Sequence, residues 1–421
     1  MATIKEGLDD FNPWWKEEFE IKFRARKIYE QIKKFMPLRQ IIAFTGLRRV
    51  GKTTLMFKIV KDAISNKEYN PQDIIYFSFD RFKEVEVREI IKEYENKTNK
   101  DVKKGKYLLI LDEVQKLKDW ENQLKSIYDI YGRSIKMIIS GSGSLFIKKK
   151  SKETLAGRIF EFKIELLSFL EFLSFKNVNL QPIGLYEREY LKLFEEFTLT
   201  LGFPELIGIS DKDVIEKYIK EIIDKIIYQD IPKLFKIKDI TILESLLNLF
   251  LEEPGQLAEL SSLARDLNLS RQTLSEYLSY LEDSFLIKKV YNFSRSRRKV
   301  ERKLKKYYHA IVSANLLFKD DDLYKSKIFE WMLINQLKAE FFWRDPYKHE
   351  VDAVLIDEKV IPIEIKYGRI DFEGIIAFMD KFKIKGGYIL SKKEEREQKI
   401  GNKVIKIVPA WKWLLGGEKK K

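Results

Sequence analysis

The chain has 421 residues, a formal net charge of +14, two histidines and no cysteine. The absence of cysteine excludes disulfide bonds and cysteine-based metal sites, and the positive charge favours a polyanionic partner. No apolar run approaches the roughly 18 residues that span a bilayer, and the first residues are polar, so we expect a cytoplasmic protein without a membrane partner. The high content of Lys, Glu and Ile predicts a thermophilic source.

The length predicts several domains. Residues 1–40 have the apolar positions of a helical lead-in, and strands then alternate with helices, which predicts a parallel α/β sheet. The expected strands of this sheet are Ile41–Phe44, Ile74–Phe79, Tyr107–Leu111 and Ile135–Ser140. The predicted segments are the lead-in (1–40), a sheet-containing core (41–165), a helical lid (166–236), a helix–turn–helix with a hairpin (237–310) and a C-terminal mixed α/β domain (311–421).

A glycine-rich turn with the sequence of a complete P-loop lies between the first strand and a predicted helix over Thr53–Ile64. Gly46 and Gly51 allow successive backbone N–H groups to face a phosphate. The Lys52 ammonium can reach the β- and γ-phosphates, and the Thr53 hydroxyl can bind Mg²⁺. We therefore predict a nucleoside triphosphate site at Gly46, Leu47, Arg48, Arg49, Val50, Gly51, Lys52, Thr53 and Thr54.

The third strand ends in two carboxylates, Asp112 and Glu113. At the carboxyl end of a parallel strand, Asp112 suits an outer contact to Mg²⁺ and Glu113 suits a base that polarises the attacking water. A solvated turn is the alternative for these two residues alone. Beside a P-loop, the pair predicts hydrolysis of the bound nucleotide.

Two further residues are candidates for the same chemistry. Ser140 closes the fourth strand, where its hydroxyl can orient the water, although a plain Gly/Ser turn is equally consistent with the spacing. Arg158 can approach the γ-phosphate as an arginine finger from its own or a neighbouring subunit, and a surface charge is the alternative.

The segment 237–310 combines helices with a basic hairpin, the pattern of a winged helix. The expected helices are Ile240–Glu252, Ser262–Leu267 and Ser270–Asp283, and the expected hairpin strands are Ile287–Phe293 and Leu304–His309. Eight of the twelve residues from Arg295 to Lys306 are Lys or Arg, which favours contact with DNA. The candidate contacts are Arg271, Gln272, Arg295, Arg297, Arg298, Lys299, Arg302 and Lys303. A protein-packing module is the alternative.

A second set of polar residues interrupts two apolar strands near the C-terminus, Glu350–Ile356 and Val360–Lys366. Asp352 and Glu364 lie on adjacent strands and can share one hard cation through carboxylate oxygens. Lys366 points to the same face as Glu364, and Glu330 on the preceding helix can add a third carboxylate. Such a set suits metal-assisted phosphodiester hydrolysis with Mg²⁺ or Mn²⁺, although short patterns of this kind also occur by chance.

Four motifs occur in order along the chain: the P-loop with two internal arginines, Leu155-Ala156-Gly157-Arg158, Gly202-Phe203-Pro204-Glu205, and Glu350-Val351-Asp352 with Glu364-Ile365-Lys366. Together they resemble the archaeal and bacterial AAA-type P-loop ATPases that carry a C-terminal restriction-endonuclease-like, PD-(D/E)xK, domain. Val351 stands where the superfamily name has proline.

The resemblance implies a multidomain α/β protein with a parallel-sheet AAA-type core, a helical lid, a winged helix and a mixed α/β endonuclease-like domain. It implies that Lys52, Thr53, Asp112 and Glu113 bind and hydrolyse ATP, that Ser140 is the polar sensor and that Arg158 is an arginine finger. It further implies that Glu330, Asp352, Glu364 and Lys366 hold metal and cleave.

Three functions follow as hypotheses. The first is a DNA-directed ATPase that acts on duplex or branched DNA through its C-terminal domains, with cleavage at the carboxylates. The second is a regulatory switch in which ATP sets a conformation and the C-terminal domains bind a partner without cutting. The third is a ring-forming homo-oligomeric motor, which requires Arg158 to act on a neighbouring subunit.

Overall fold

The computed structural model shows two compact units, Met1–Leu166 and Leu167–Lys421. It describes residues 3–82, 84–141, 153–235, 237, 239–296, 298, 300 and 304–416. Within these ranges, no helix is both long enough and apolar enough to cross a membrane.

The first unit is built on a parallel sheet. Its strands are β1 (Ile41–Thr45), β2 (Ile74–Ser78), β3 (Tyr107–Asp112), β4 (Ile135–Ser140) and β5 (Ile159–Lys163), in the spatial order β2-β3-β4-β1-β5. Every residue of β1 to β4 is buried, as expected when helices cover both faces. The parallel α/β sheet and its first four strands are confirmed. β5 was not predicted, because an edge strand that alternates apolar and charged residues lacks a continuous apolar run.

Helices cover this sheet. They are α1 (Ile4–Phe11), α2 (Lys27–Lys33), α3 (Lys52–Ser65), α4 (Val87–Thr98) and α5 (Trp120–Tyr131). The hydroxyl of Thr3 and the carboxylate of Glu6 form a capping box that starts α1, which satisfies backbone N–H groups at the helix end. The apolar faces of α1, α4 and α5 contribute to the same buried cluster as β2 and β3.

The lead-in is only partly helical, so the prediction for 1–40 was wrong between α1 and α2. Phe19, Ile21 and Phe23 have the two-residue spacing of extended chain rather than helical spacing. The Phe19 ring lies 5.1 Å from that of Trp14 and 6.0 Å from that of Phe57 on α3, measured between ring centroids. Aromatic contacts therefore hold Phe19 of this extended stretch against α3.

The lead-in also covers the exposed edge of β2. The Asn12 amide donates to the Tyr76 carbonyl at 2.9 Å, and its oxygen accepts the Tyr76 N–H at 2.7 Å. The indole N–H groups of Trp14 and Trp15 both donate to the Ile74 carbonyl, at 3.1 and 2.8 Å. These side chains satisfy edge groups that would otherwise pair with another chain.

The second unit contains a nine-stranded mixed sheet. Its strands are β6 (Gln256–Ala258), β7 (Ile287–Asn292), β8 (Lys305–His309), β9 (Phe341–Arg344), β10 (Glu350–Ile356), β11 (Val360–Lys366), β12 (Gly386–Ser391), β13 (Arg396–Ile400) and β14 (Lys403–Pro409). Their spatial order is β13-β14-β12-β11-β10-β9-β7-β8-β6. The predicted strands of both hairpins are confirmed as β7, β8, β10 and β11.

The second unit contains the following helices among the described residues, and those at its start confirm the helical character predicted for residues 166–236. They are α6 (Phe169–Phe175), α7 (Glu187–Leu199), α8 (Lys212–Lys225), α9 (Ile231–Leu234), α10 (Ile240–Glu252), α11 (Leu260–Asp266), α12 (Arg271–Asp283), α13 (Ala314–Leu317), α14 (Asp322–Leu337), α15 (Glu373–Phe382) and α16 (Ala410–Leu414). A π-helical turn, Ile226–Asp230, joins α8 to α9.

The hairpin of β7 and β8 is part of the large sheet. β7 pairs in parallel with β9, where Tyr291 opposes Phe341 and Asn292 opposes Phe342. Segments 237–310 and 311–421 therefore contribute strands to one continuous sheet. The hairpin strands are fixed on both sides, since β8 also pairs with β6.

One histidine is buried where β8 ends. His309 is fully buried, and neither ring nitrogen has a hydrogen-bond partner among the described residues. Burial lowers the pKa of His309 to about 3. The imidazole is therefore neutral in the folded chain at pH values where an exposed histidine is charged.

We predict an acid-dependent loss of stability that depends on His309. The unfolded chain takes up a proton near pH 6.5 and the folded chain only near pH 3, so the free energy of unfolding falls between these values as the pH falls. The contribution is up to about 1.4 kcal/mol per pH unit. Denaturant unfolding across this range should show a shallower loss in His309→Leu than in wild type. His349→Gln, which changes the more exposed histidine, should retain the loss; equal slopes for wild type and His309→Leu would contradict the assignment.

Candidate functional site

The P-loop connects β1 to α3 at the carboxyl edge of the first sheet. Gly46 has a φ of 142°, and a Cβ there would lie 2.2 Å from the Ile164 carbonyl oxygen, so only glycine fits. Gly51 has a φ of 96° and starts α3. The Lys52 ammonium donates to the carbonyls of Gly46 and Leu47, at 3.1 and 2.8 Å. Strand, turn, lysine and helix have the arrangement that the sequence pattern predicts.

Asp112 is the centre of a buried hydrogen-bond network at the same edge. One carboxylate oxygen, Oδ2, accepts from the Thr53 hydroxyl and from the Tyr76 hydroxyl, each at 2.8 Å. The other oxygen accepts from the Ser140 hydroxyl. Asp112 is only 4% exposed, and buried carboxylates need such partners. The structure thus brings together Thr53, Asp112 and Ser140 from the prediction and adds Tyr76, which was missed.

The order of strands explains this convergence. β4 lies between β1, which leads into the P-loop, and β3, which ends in Asp112. Ser140 at the end of β4 therefore stands between the two. The signal for Tyr76 was a tyrosine in the middle of the apolar β2, a strand that pairs with β3, where a buried hydroxyl needs a hydrogen-bond partner.

Glu113 directly follows β3 in a strained backbone conformation. Its φ of 59° lies in the left-handed region, which non-glycine residues seldom adopt and which clusters at functional sites. Its N–H donates to the Ser140 oxygen at 3.2 Å, and its carboxylate accepts from the Gln115 amide at 2.6 Å. Burial raises the pKa of Glu113, opposed by the nearby Lys52 cation. A raised pKa suits a group that takes a proton from water.

Arg26 of the lead-in holds the P-loop from outside. Its guanidinium donates to the Val50 carbonyl at 3.0 Å and to the Glu165 carbonyl at 2.7 Å. Arg26 as a whole is only 7% exposed. The contact fixes the loop from the carbonyl side, which leaves the N–H groups of the loop for a phosphate. The sequence contained no signal for this role, because Arg26 is one of many basic residues outside any motif.

Arg158 lies at the opposite edge of the sheet from the P-loop. Its carbonyl accepts the N–H of Ile41, the first residue of β1, whereas the P-loop follows the last residue of β1. The two ends of β1 are about 15 Å apart, since a strand rises by some 3.3 Å per residue. The side chain pairs with Asp129 at 3.3 Å and lies over the Tyr128 ring. An arginine finger acting within the same chain is therefore wrong, and the alternative of a neighbouring subunit remains.

Of the other predicted P-loop residues, Leu47 and Val50 are buried and Arg48 and Arg49 are partly exposed. Arg49 has a φ of 63°, as a tight loop requires. Thr54, on the outer face of α3, is exposed. The predicted Gly/Ser turn continues into residues 142–152, which lie outside the described residues.

The predicted DNA contacts are only partly placed. Arg271 and Gln272 are exposed at the start of α12, where Gln272 donates to Glu276 on the same face. Arg295 donates to the Phe382 carbonyl at 2.7 Å, and Arg298 is exposed. Arg297, Lys299, Arg302 and Lys303 lie outside the described residues.

The exposed face of α12 carries little positive charge. Its exposed residues include one basic residue, Arg271, and one acidic residue, Glu276. Tyr277 on the opposite face exchanges hydrogen bonds with the backbone of Asp239, and the Tyr280 ring stacks on Phe235 with 4.1 Å between ring centroids. Helix α12 is thus anchored by packing, and the described basic charge lies beside the hairpin rather than on this helix.

The C-terminal carboxylates lie on facing strands as predicted. The Asp352 carboxylate on β10 accepts the Ile365 N–H of β11 at 2.7 Å. Glu364 is 4% exposed; its Oε1 accepts from Lys366 at 2.8 Å, and its Oε2 has no hydrogen-bond partner among the described residues. Burial raises the pKa of Glu364 to about 7, although the Lys366 cation opposes the shift.

Glu330 also has contacts of its own. Its carboxylate accepts from the Tyr308 hydroxyl at 2.6 Å and lies 3.4 Å from the Lys306 ammonium. Lys306 also pairs with Glu350 at 2.5 Å. Lys306 was counted among the eight basic residues of the run but not among the candidate DNA contacts; the residue is only 5% exposed, and its ammonium contacts carboxylates. Glu350 and Lys306 were not predicted as members of this cluster.

The residues of this cluster do not fit a divalent metal. Across the ranges that the structure describes, no three His, Asp or Glu side chains converge closely enough to hold an ion. Glu330 is engaged by Tyr308 and Lys306, and Asp352 by the backbone of β11. Mg²⁺ requires near-octahedral oxygen coordination, which this arrangement does not offer. Lys366 nevertheless lies beside Glu364, where the resemblance places it.

The protein family that matches the first unit is consistent with its parallel sheet and P-loop. Residues 38–173 match the family described as an AAA domain. Residues 191–312 match a domain of unknown function, DUF8612, and residues 326–413 match another, DUF4143. The parallel sheet, the P-loop and this match define an AAA-type P-loop ATPase fold in the N-terminal unit.

Several proteins are similar over most of the chain. The uncharacterized protein MJ1544 of Methanocaldococcus jannaschii is 27% identical, over 95% of this chain and 93% of that protein. The uncharacterized protein MJ1637 of the same organism is 25% identical, over 95% and 89%. Among solved structures, the Walker-type ATPase PABY2304 of Pyrococcus abyssi is 15% identical, over 71% of this chain and 98% of that chain, with a TM-score of 0.42.

We predict that Arg26 restrains the P-loop. In Arg26→Met, the Val50 and Glu165 carbonyls lose a charged donor, so amide hydrogen exchange over residues 46–51 should accelerate about tenfold or more. Hydrogen exchange with mass spectrometry measures this directly. Arg24→Met, which removes an exposed arginine two residues earlier, is the matched control and should leave the loop unchanged. Equal exchange in both variants would show that Arg26 does not restrain it.

Proposed function

We propose that this protein binds and hydrolyses ATP at the carboxyl edge of the first sheet. The observation that carries the proposal is the convergence of Thr53, Ser140 and Tyr76 on the buried Asp112, with Glu113 and Lys52 beside it. A structural role alone does not require a carboxylate buried among three hydroxyls next to a P-loop.

The donor set fits a nucleotide with Mg²⁺. The N–H groups of Gly46–Thr53 and the Lys52 ammonium would bind the β- and γ-phosphates, and the Thr53 hydroxyl and Asp112 carboxylate would hold Mg²⁺. Mg²⁺ supplies neutralisation of charge on the phosphate oxygens when bound. The adenine base, rather than guanine, is inferred from the AAA resemblance.

Glu113 is the proposed base. Its N–H is held by the Ser140 oxygen, which fixes where the residue leaves β3, and burial raises the pKa of its carboxylate. A carboxylate so placed can accept a proton from the attacking water as the γ-phosphate departs. Ser140 positions both Asp112 and Glu113 in this scheme.

We predict that Glu113→Gln binds ATP like wild type but turns over at least about a hundredfold more slowly, because the amide cannot accept the proton. Nucleotide binding by fluorescence titration and phosphate release measure the two steps separately. Glu84→Gln, an exposed carboxylate of the same unit, should match wild type in both. Lys52→Met should lose binding itself. Turnover undiminished in Glu113→Gln would refute the role of Glu113.

We further propose DNA as the partner of the C-terminal unit. The support is the formal charge of +14 and the basic run that connects the two hairpin strands, in which Arg298 is exposed. The exposed face of α12 is nearly neutral. We therefore expect the basic run to contact DNA phosphates, rather than α12 to contact the nucleobases. Recognition would then depend on DNA shape and charge rather than on sequence.

We predict that duplex or branched DNA binds with an affinity that falls steeply as salt concentration rises. The informative variant replaces four basic residues of the run by alanine: Arg297, Lys299, Arg302 and Lys303. Each lost phosphate contact should reduce the slope of log affinity against log salt by about 0.9. Fluorescence anisotropy at several salt concentrations provides the measurement.

The matched control removes four exposed lysines of the first unit, Lys103, Lys104, Lys106 and Lys118. It lowers the net charge equally but should leave the slope unchanged. An affinity that ignores salt, or equal loss in both quadruple variants, would argue against DNA contact through the basic run.

Cleavage separates the remaining alternatives. Labelled linear and branched DNA would be incubated with Mg²⁺ or Mn²⁺, with and without ATP, using wild type, Asp352→Ala and Glu113→Gln. Cleavage lost in Asp352→Ala would establish a nuclease, and loss in both variants would couple it to ATP hydrolysis.

Because the carboxylate cluster does not fit a metal, we propose binding without cleavage, with ATP state as a switch. A ring-forming motor would instead need Arg158 to act on a neighbouring subunit, and turnover would rise with protein concentration.

A further inference from the structure

We infer that the Lys306 ammonium is a built-in cation that takes the place of a divalent metal among the C-terminal carboxylates. Lys306 lies on β8, in the hairpin that follows the helix–turn–helix. Its ammonium contacts Glu350 of β10 at 2.5 Å and Glu330 of α14 at 3.4 Å. One side chain thus links three elements through ion pairs.

The burial of Lys306 distinguishes it from a surface lysine. It is 5% exposed, and burial alone disfavours an ammonium, but Glu330, Tyr308 and Glu350 together raise its pKa well above the ordinary value. A charged side chain buried this deeply is retained only where opposite charges compensate it. The carboxylates have the same requirement, so the lysine and the acids stabilise one another.

The carboxylate oxygens are largely committed to the chain itself. Both oxygens of Glu350 are paired, Oε1 with Lys306 and Oε2 with Arg344 at 2.9 Å. Oε1 of Glu330 accepts from Tyr308, and Oδ2 of Asp352 accepts from the β11 backbone. Oε2 of Glu364 is the buried carboxylate oxygen without a partner in the described part of the chain. To reach near-octahedral oxygen coordination, Mg²⁺ or Mn²⁺ would have to displace the Lys306 ammonium from Glu330 and Glu350.

The consequence is a site with the residues of a nuclease centre but a cation of its own. The ion pairs fix β8 to α14 and β10, so that the hairpin beside the basic run keeps a constant position on the large sheet. The C-terminal unit is then a binding module. This inference does not rest on ATP hydrolysis, since it concerns a different unit and is tested without nucleotide.

Binding of Mn²⁺ to the full-length, nucleotide-free chain tests the inference, with free Mn²⁺ followed by electron paramagnetic resonance. Wild type and Asp352→Asn should bind equally, because no ion is held at Asp352. Lys306→Met should gain one Mn²⁺ per chain, about ten- to a hundredfold tighter than any binding that wild type shows, because Glu330 and Glu350 are released from the ammonium and can turn towards Asp352. The double variant Lys306→Met, Asp352→Asn should lose the gained ion.

The matched control is Lys289→Met, which removes a half-buried lysine of β7 that pairs with Glu282 at 2.7 Å. It should gain no Mn²⁺. Lys306→Arg keeps the cation and should also gain none. An ion in wild type that Asp352→Asn removes would overturn the inference, as would a folded Lys306→Met that gains none.

Lys306→Met leaves its acids uncompensated, so its folding is followed by circular dichroism with and without Mn²⁺. Folding restored by Mn²⁺ but not in the double variant supports the inference. If Lys306→Met stays unfolded in both conditions, the comparison of wild type with Asp352→Asn decides, because equal binding supports the internal cation and unequal binding refutes it.

Discussion

The nucleotide site depends on one buried charge, the carboxylate of Asp112. A carboxylate this deeply buried is stable only when its oxygens are hydrogen-bonded, and here hydroxyls from Thr53, Tyr76 and Ser140 provide the bonds. Those hydroxyls come from the P-loop helix and from two neighbouring strands. Satisfying Asp112 therefore sets the relative positions of the strand ends, and with them the place where Glu113 leaves β3.

Strand order makes this network possible. Because β4 lies between β1 and β3, the Ser140 hydroxyl at the end of β4 can reach the Asp112 carboxylate at the end of β3. The lead-in supports the arrangement from two directions. Asn12, Trp14 and Trp15 hold the edge of β2, whose Tyr76 bonds Asp112, while Arg26 holds the back of the P-loop. These four residues of the lead-in thus support the site, although none of them belongs to a motif.

The C-terminal cluster solves the same physical problem differently. Asp112 accepts hydrogen bonds from neutral hydroxyls, and under the proposed function it would also hold the Mg²⁺ that arrives with a nucleotide. Glu330 and Glu350 are instead compensated by Lys306, a cation of the chain itself. A carboxylate matched by a permanent cation gains little from a metal, whereas one matched by hydroxyls still gains much. The two units thus compensate buried carboxylates with different groups, hydroxyls around Asp112 and an ammonium between Glu330 and Glu350.

Local patterns in the sequence determined the parallel sheet, the P-loop and the strands that carry Asp352 and Glu364, because each depends on periodicity or on a short motif. Only the tertiary structure decided which side chains meet. Tyr76 and Arg26 reach the site through contacts distant in sequence, Arg158 was removed from it by the direction of β5, and Lys306 turned from a basic run towards buried acids. Spacing along the chain shows neither the order of the strands nor which charged side chains pair with one another. Both are set by the packing of segments that are distant in sequence.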